Sequence, residues 1–260
     1  MRVYRVSAYN TATASANKIH DDAVAQKLGF RGGLVPGVDV YAYLCHLPAE
    51  QWGRDWLATG TIAARFDSPV YNGEQVEISA ARPDDRELEL SLVDPAGTLC
   101  ATASATLPHE PPAPPSAAEW PAGPPPVEPP QASPETLCDN AFGSIAATFH
   151  VERAVDYLDD ICETLPLFRD GGFAHPGWLL RFANWVLTAN VRMGPWIHVA
   201  SSTQLYDVVR DGDRLETRAV VTGVRERGGH RFVDLDVLQV VDERPVARTA
   251  HTAIYQPRGA

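Results

Sequence analysis

His20 has Asn17 three residues before it, Ser15 five before it, and Asp21 and Asp22 directly after. An imidazole beside carboxylates suggests a metal ligand or a proton carrier. Metal is poorly supported, because no second cluster of ligating residues accompanies the His-Asp-Asp run. Acidic residues that open a helix are explained by capping and the helix dipole, and Asp21 and Asp22 are read that way. A histidine taken alone is more often a satisfied loop residue than a site. Asn17 stands three residues before His20, and Gly29-Phe30 and Pro36-Gly37 follow it, landmarks taken up below. His175 is a second candidate, beside Pro176-Gly177, but no Asn-x-x-His precedes it. Asp39 either complements the dipole of a helix opening at Gly37 or brings a carboxylate to a site. Arg192/Arg210 and Arg225/Arg227 could meet a phosphate, although exposed arginines usually pair with nearby carboxylates. No Walker loop or GxGxxG is present. Cys45, Cys100, Cys138 and Cys162 are widely spaced without a CxxC pair, which reads as small core residues rather than bridges or zinc ligands.

Composition bounds what these residues serve. Asp and Glu number 33 against 22 Lys and Arg, a formal net charge of −11, so a phosphate-backbone footprint is a poor basis for function. Hydrophobic residues at 45% and charged residues at 21% suit a globular chain with one large core or two smaller ones. The longest apolar run, between Trp178 and Val191, is broken by Arg181 and Asn184, which leaves no span long enough for a membrane. The first residues, Met1-Arg-Val-Tyr-Arg-Val, alternate like a strand and show no secretory h-region; the cytoplasm is expected.

Twelve of the 22 prolines lie between Pro108 and Pro134, where missing amide donors and fixed φ angles oppose helices and sheet ladders. We read residues 109–136 as an extended linker, with Trp120 its one docking residue, between domains at 1–108 and 137–260. The two flanks repeat each other. Val35-Pro36-Gly37 and His175-Pro176-Gly177 each open an apolar run, 140 positions apart at the glycines. Asn72-Gly73-Glu74 recurs as Asp211-Gly212-Asp213, 139 positions apart. Two landmarks with nearly one offset indicate a duplicated domain.

Each copy predicts a helix buried on most faces and then an antiparallel meander. Strands are expected at 59–70, 75–81, 87–93 and 99–107, with a turn at Pro83-Asp84-Asp85 and another at 94–97. In the second copy they are expected at 198–209, 214–224, 230–241 and 246–255. Trp178, Phe182, Trp185 and Trp196 are read as core filling the concave face of the sheet. The fold class is α+β, two tandem antiparallel sheets each wrapped around a central helix.

This layout resembles the hotdog fold, and within it the MaoC-like (R)-specific enoyl-CoA hydratases and dehydratases. The resemblance is carried by Ala16-Asn17-Lys18-Ile19-His20-Asp21-Asp22, by Leu28-Gly29-Phe30 and Gly32-Gly33-Leu34-Val35-Pro36-Gly37, and by Phe66-Asp67-Ser68-Pro69-Val70-Tyr71-Asn72-Gly73-Glu74. It covers nearly the whole chain outside the linker. In the family pattern, Asp, any residue, Asn, Pro and an aliphatic precede the His. Here Ser15 stands at the Asp position and Lys18 at the Pro, so the paired carboxylate is missing.

The resemblance implies that His20 is a general acid/base acting on water or on the β-hydroxyl of an acyl thioester, with Asn17 and Ser15 beside it. The Gly37 and Val38 amides would bind the thioester carbonyl, with glycine leaving room for it. Loss of one member of an acid/base pair typically costs about 10²–10⁴ in rate, which bears directly on Ser15. The substrate implied is acyl-CoA or an acyl-carrier thioester, with coenzyme A as part of the substrate and no further cofactor or metal. The fused halves form an internal pseudo-dimer, and a homodimer stays open. Two rival functions are a thioesterase using Asp39 to activate water and a non-catalytic acyl-ligand binder.

Overall fold

The computed structural model describes residues 2–138 and 141–259; Met1 and Ala260, which the strand and domain readings include, lie outside them. The chain runs β1 (Arg2–Ser7), α1 (Asp22–Lys27), α2 (Gly37–Thr59), β2 (Thr61–Phe66), β3 (Gln75–Asp84), β4 (Glu87–Val93) and β5 (Leu99–Thr106). It continues with α3 (Pro134–Leu137), β6 (Ile145–Thr148), α4 (Val151–Asp160), α5 (Pro166–Arg169) and α6 (Pro176–Asn190). The last four strands are β7 (Ile197–Leu205), β8 (Arg214–Arg227), β9 (His230–Val241) and β10 (Arg244–Gln256).

All ten strands form one antiparallel sheet in the order β1-β3-β4-β5-β2-β7-β10-β9-β8-β6. Read outward from the centre, the halves have the same plan: β2-β5-β4-β3-β1 on one side and β7-β10-β9-β8-β6 on the other. The join is the pairing of β2 with β7, from Thr61 opposite Gln204 to Arg65 opposite Ala200. This mirrored order is the structural form of the sequence repeat, and the pairing removes the edge that each half would otherwise expose.

The central helices α2 and α6 lie in the concave face and pack on each other. A Cβ at Gly177 would sit 2.5 Å from the Ala42 Cβ and 2.5 Å from the Tyr157 hydroxyl, so only glycine permits this approach. The run Val38–Ala49 is buried throughout, as its apolar composition predicts. A helical break at Gly53, with φ of 57°, divides the end of α2 from its body. The second helix departs from expectation at Trp185, which is 47% exposed because that face of α6 borders a cavity mouth instead of the sheet.

Several boundaries shift. Residues 59 and 60 end α2 rather than open a strand, and the turn expected at Pro83-Asp84-Asp85 falls at residues 85–86. The β3–β4 register shifts between Ala81 and Asp84. Of the four cysteines, Cys45 and Cys100 are buried, Cys162 is half-buried and Cys138 is exposed; all are free.

The proline-rich segment crosses the outer face of the second half and makes one short 3-10 turn at Ala117–Glu119. Trp120 packs there against Leu238 and Val240, and its Nε1 donates to the Asp236 carbonyl at 3.1 Å. Apolar burial and a satisfied indole N–H together dock the segment.

Candidate active site

The segment between β1 and α1 holds the histidine motif in a fixed form. The Asn17 side chain caps a 3-10 turn over Lys18–His20, accepting from the Ile19 amide at 3.3 Å. Asp21 caps α1 through the Val24 amide at 3.1 Å, and Asp22 accepts from the Gly33 amide at 2.7 Å. Asp21 therefore caps the helix as expected, whereas Asp22, in its first turn, holds the Gly33 loop. Gly33 and its neighbours thus run back over the motif, and the Leu34 carbonyl lies 2.7 Å from His20 Nδ1.

That contact sets the tautomer. A carbonyl can only accept, so Nδ1 carries the proton and Nε2 keeps its lone pair. Among the described residues, the hydrogen-bond partner of Nε2 is the Asn17 amide nitrogen, at 3.4 Å, long enough to yield to a water. Burial lowers the His20 pKa below its ordinary value, opposed by the Leu34 carbonyl and the charge of Asp39. At neutral pH the ring is a free base with one nitrogen available.

Asn17 does more than cap. Its Nδ2 donates to the Trp196 carbonyl at 2.9 Å and its Oδ1 accepts from the Trp196 amide at 3.1 Å, a two-point clamp onto the second half. Ser15 Oγ accepts from the Asn17 amide at 3.1 Å, and no hydrogen bond joins it to His20.

The tip of α2 faces the same region. Pro36 precedes Gly37 without a side-chain cap, and the Gly37 and Val38 amides have no hydrogen-bond partner among the described residues. Such a tip offers donors and positive partial charge. A Cβ at Gly37 would lie 2.9 Å from His198 Nδ1, so glycine makes room for an imidazole. His198 was not singled out in the sequence, where it reads as the start of a strand. It is buried, its Nε2 lies 2.8 Å from Ser201 Oγ, and that hydroxyl lies 3.0 Å from His251 Nδ1. Burial, then the neighbouring His251, keeps His198 well below the ordinary histidine pKa.

Asp39 is fully buried and lines neither cavity described below. Its Oδ2 accepts from Thr11 Oγ1 at 2.6 Å and its Oδ1 from Arg181 Nη2 at 2.9 Å. Arg181, on α6, also donates to Thr11 at 3.0 Å and stacks 4.1 Å from the Tyr157 ring centroid. In the sequence Arg181 was legible only as an interruption of an apolar run.

The second helix tip is closed. His175 Nδ1 accepts from the Gly177 amide at 3.0 Å, and its Nε2 faces Glu163 at 3.5 Å. Glu163 is buried, accepts from the Thr164 and Leu165 amides, and meets His46 Nδ1 at 3.0 Å. Burial raises its pKa, but the hydrogen bonds of His175 and His46 outweigh this and hold the carboxylate well below its usual range. Ala42 and Tyr157 fill the remaining space.

Two cavities meet at His20. One, of about 280 Å³, is lined by Phe30, Val40, Phe66, Ile197 and His198, with Ser68 and exposed Asp67 also on its wall. The other, of about 400 Å³, is a vestibule walled by Thr11, Ser15, Val38, Arg181, Trp185 and Thr188. Asn17, His20, Pro36, Asn184 and Trp196 border both. The Asn184 Oδ1 is buried there without a partner. Ser15, Asn17, His20, Gly37 and Val38 thus each line one or both of these adjoining cavities, and Asp39 lines neither. Among the described residues, no three His, Cys, Asp or Glu side chains are placed to hold a metal ion, and no helix is long and apolar enough to cross a membrane.

No family model and no curated protein matches the chain. Solved structures do. A protein of Chloroflexus aurantiacus described as a MaoC domain dehydratase aligns over 99% of this chain and 95% of its own, at 11% identity and a TM-score of 0.63. A conserved protein of Mycobacterium tuberculosis described as having a double hotdog fold aligns over 97% and 95%, at 16% identity and 0.61. A protein of Novosphingobium aromaticivorans described as a thioesterase aligns over 86% and 89%, at 13% identity and 0.54. At such identities the likeness speaks to architecture. The chain has the double hotdog fold, in a form shared by proteins described as MaoC-type dehydratases and as thioesterases.

Proposed function

We propose that the chain binds an acyl thioester, with acyl-CoA the preferred form, and catalyses reversible hydration of its 2-enoyl group through His20. One observation carries this reading: His20 Nε2, free to accept, stands where two cavities meet beside the unpaired amides of the α2 tip. The thioester would lie at the junction, with its acyl and pantetheine arms in the two cavities.

The step follows from these groups. His20 Nε2 takes a proton from water as the water oxygen bonds to C3 of the enoyl group. The C2=C3 electron pair moves towards the thioester carbonyl, whose oxygen gains negative charge and is held by the Gly37 and Val38 amides. The imidazolium then returns its proton to C2. Water is added, no electron is gained or lost, and the balance needs no further cofactor. Ser15, neutral at the place of the family's carboxylate, would orient water rather than take its proton, and a slower reaction than that of a full acid/base pair is expected.

Thioester hydrolysis is the second reading, since chains described as thioesterases share the fold. It needs a base for the attacking water, and Asp39 is committed to Arg181 and Thr11. The test is incubation with crotonyl-CoA and longer 2-enoyl-CoAs, following loss of enoyl absorbance and, separately, release of free thiol. Hydration that disappears in His20→Ala supports the proposal. Thiol release without hydration overturns it in favour of hydrolysis, and binding without either reaction overturns it in favour of a non-catalytic binder.

A further inference from the structure

Arg181 enters the vestibule from the second half of the chain, and its geometry leaves part of the guanidinium unused. Both of its protein hydrogen bonds, to Thr11 and to Asp39, are made by Nη2. Nε and Nη1 have no protein partner among the described residues, although the side chain is only 17% exposed. A planar guanidinium held on one side by a carboxylate and over its face by Tyr157 is a preorganised donor with fixed direction.

Across a chain of formal net charge −11, the vestibule wall contains no carboxylate. The acidic residues acting on Arg181 are Asp39 and Asp160, and neither lines the vestibule. Asp39 lies wholly behind it, at 0% exposure. A ligand in the vestibule therefore meets the guanidinium first, together with the α2 tip at Pro36 and Val38, which is also electropositive. Ser15 and Asn184 add hydrogen-bonding capacity to the same wall.

Resting on the thioester reading above, we propose that Arg181 is a specificity residue that binds a carboxylate carried by the acyl group. The substrate class is then a short 2-enoyl or 3-hydroxyacyl thioester of a dicarboxylic acid. Its acyl arm lies in the polar vestibule, and its pantetheine runs through the apolar cavity past Phe30 and Phe66 towards exposed Asp67. A phosphate of coenzyme A is the other source of anionic oxygen, but the full pantetheine arm separates it from the thioester. With the thioester at His20, which borders the same cavity as Arg181, an acyl carboxylate is the anion within reach.

The test compares glutaconyl-CoA with 2-pentenoyl-CoA, of equal chain length without the carboxylate, in the wild-type protein. Turnover is read as kcat/KM, and binding as quenching of the fluorescence of Trp185 and Trp196. The expected result is a preference of about ten- to hundredfold for glutaconyl-CoA in binding, the range of one charge-assisted hydrogen bond. Arg181→Lys, which keeps a cation opposite Asp39, should reduce that preference about tenfold or more with little change for 2-pentenoyl-CoA. Because loss of the cation strands buried Asp39, the neutral variant is the double Arg181→Gln/Asp39→Asn, expected to show no preference. Glutaconyl-pantetheine, which lacks the nucleotide, should keep the full Arg181-dependent preference. Equal binding of both thioesters by the wild type, a preference indifferent to Arg181, or an Arg181 effect that follows the nucleotide would each overturn the assignment. Hydration of 2-pentenoyl-CoA without a carboxylate preference sinks this inference alone. Preferential binding of glutaconyl-CoA without turnover sinks the hydratase reading alone.

Discussion

The His198 imidazole occupies the place where a side chain at position 37 would begin, with Nδ1 2.9 Å from a Cβ built on Gly37. The first helix of one half is thus fitted to a strand of the other, and the glycine that leaves the tip amides bare is required by packing. Gly37→Ala is expected to destabilise the fold by about 1–3 kcal/mol, the usual cost of overpacking. The double variant Gly37→Ala/His198→Ala should recover part of that loss, since the clash then has no partner. Urea unfolding of the four proteins measures both terms, and additive losses would contradict the fit.

Burial lowers the His20 pKa below the ordinary 6.5. The base form therefore persists to lower pH than in free histidine and is lost only as pH falls through the lowered value. Hydration measured as kcat/KM should be level near neutrality and decline on an acid limb with its midpoint below about 6.5. A midpoint above that value would show that another group controls the limb.

Asn17 holds the motif to the second half through both the amide and the carbonyl of Trp196. Asn17→Ala takes this partner from three buried backbone groups, the Trp196 amide and carbonyl and the Ile19 amide, and a loss of about 1–3 kcal/mol per group is the general cost. Asn17→Asp keeps the acceptor for the Trp196 amide but not the donor to its carbonyl. Denaturant unfolding should rank wild type above Asn17→Asp and both above Asn17→Ala, whereas a residue serving only catalysis would leave stability unmoved.

His251 is pushed down to about 3 by burial, and His198 is also held well below 6.5. Unfolded, both take up protons near 6.5; folded, they do not until far lower pH. The unfolded state thus binds more protons throughout that window, and stability falls as pH drops from about 6.5 towards 3. Each such group contributes a slope of about 1.4 kcal/mol per pH unit. His251→Gln should flatten the dependence by one proton's share, read from unfolding free energies at several pH values across the window. An unchanged slope would mean that His251 is not neutral in the folded protein.

The fold was legible because it is written in local periodicity and in repetition. Strands β4 and β9 fall on their expected residues, since alternating apolar residues on a half-buried strand need only neighbours in sequence to be recognised. The helix end at residue 59, the turn at residues 85–86 and the exposure of Trp185 escaped, because each depends on what packs nearby. The gathering of Asn17 and His20 was visible in their spacing. The companions His198, Arg181, Asn184 and Trp196 were not, for they reach the site from the other half, more than 140 positions away, and nothing in their own neighbourhoods distinguishes them from core residues.

From the residue order alone came the duplication, the proline-rich joint and the reading of one histidine as a candidate centre of chemistry, all properties of short stretches of chain. Only the folded molecule decided that one helix tip stays open and the other is stoppered by His175, and that the charge of Asp39 is spent on Arg181. Equal local patterns at Pro36-Gly37 and Pro176-Gly177 were sent to opposite fates by their surroundings. Whether a backbone amide is free depends on what the distant chain places within about 3 Å of it, the reach of a hydrogen bond.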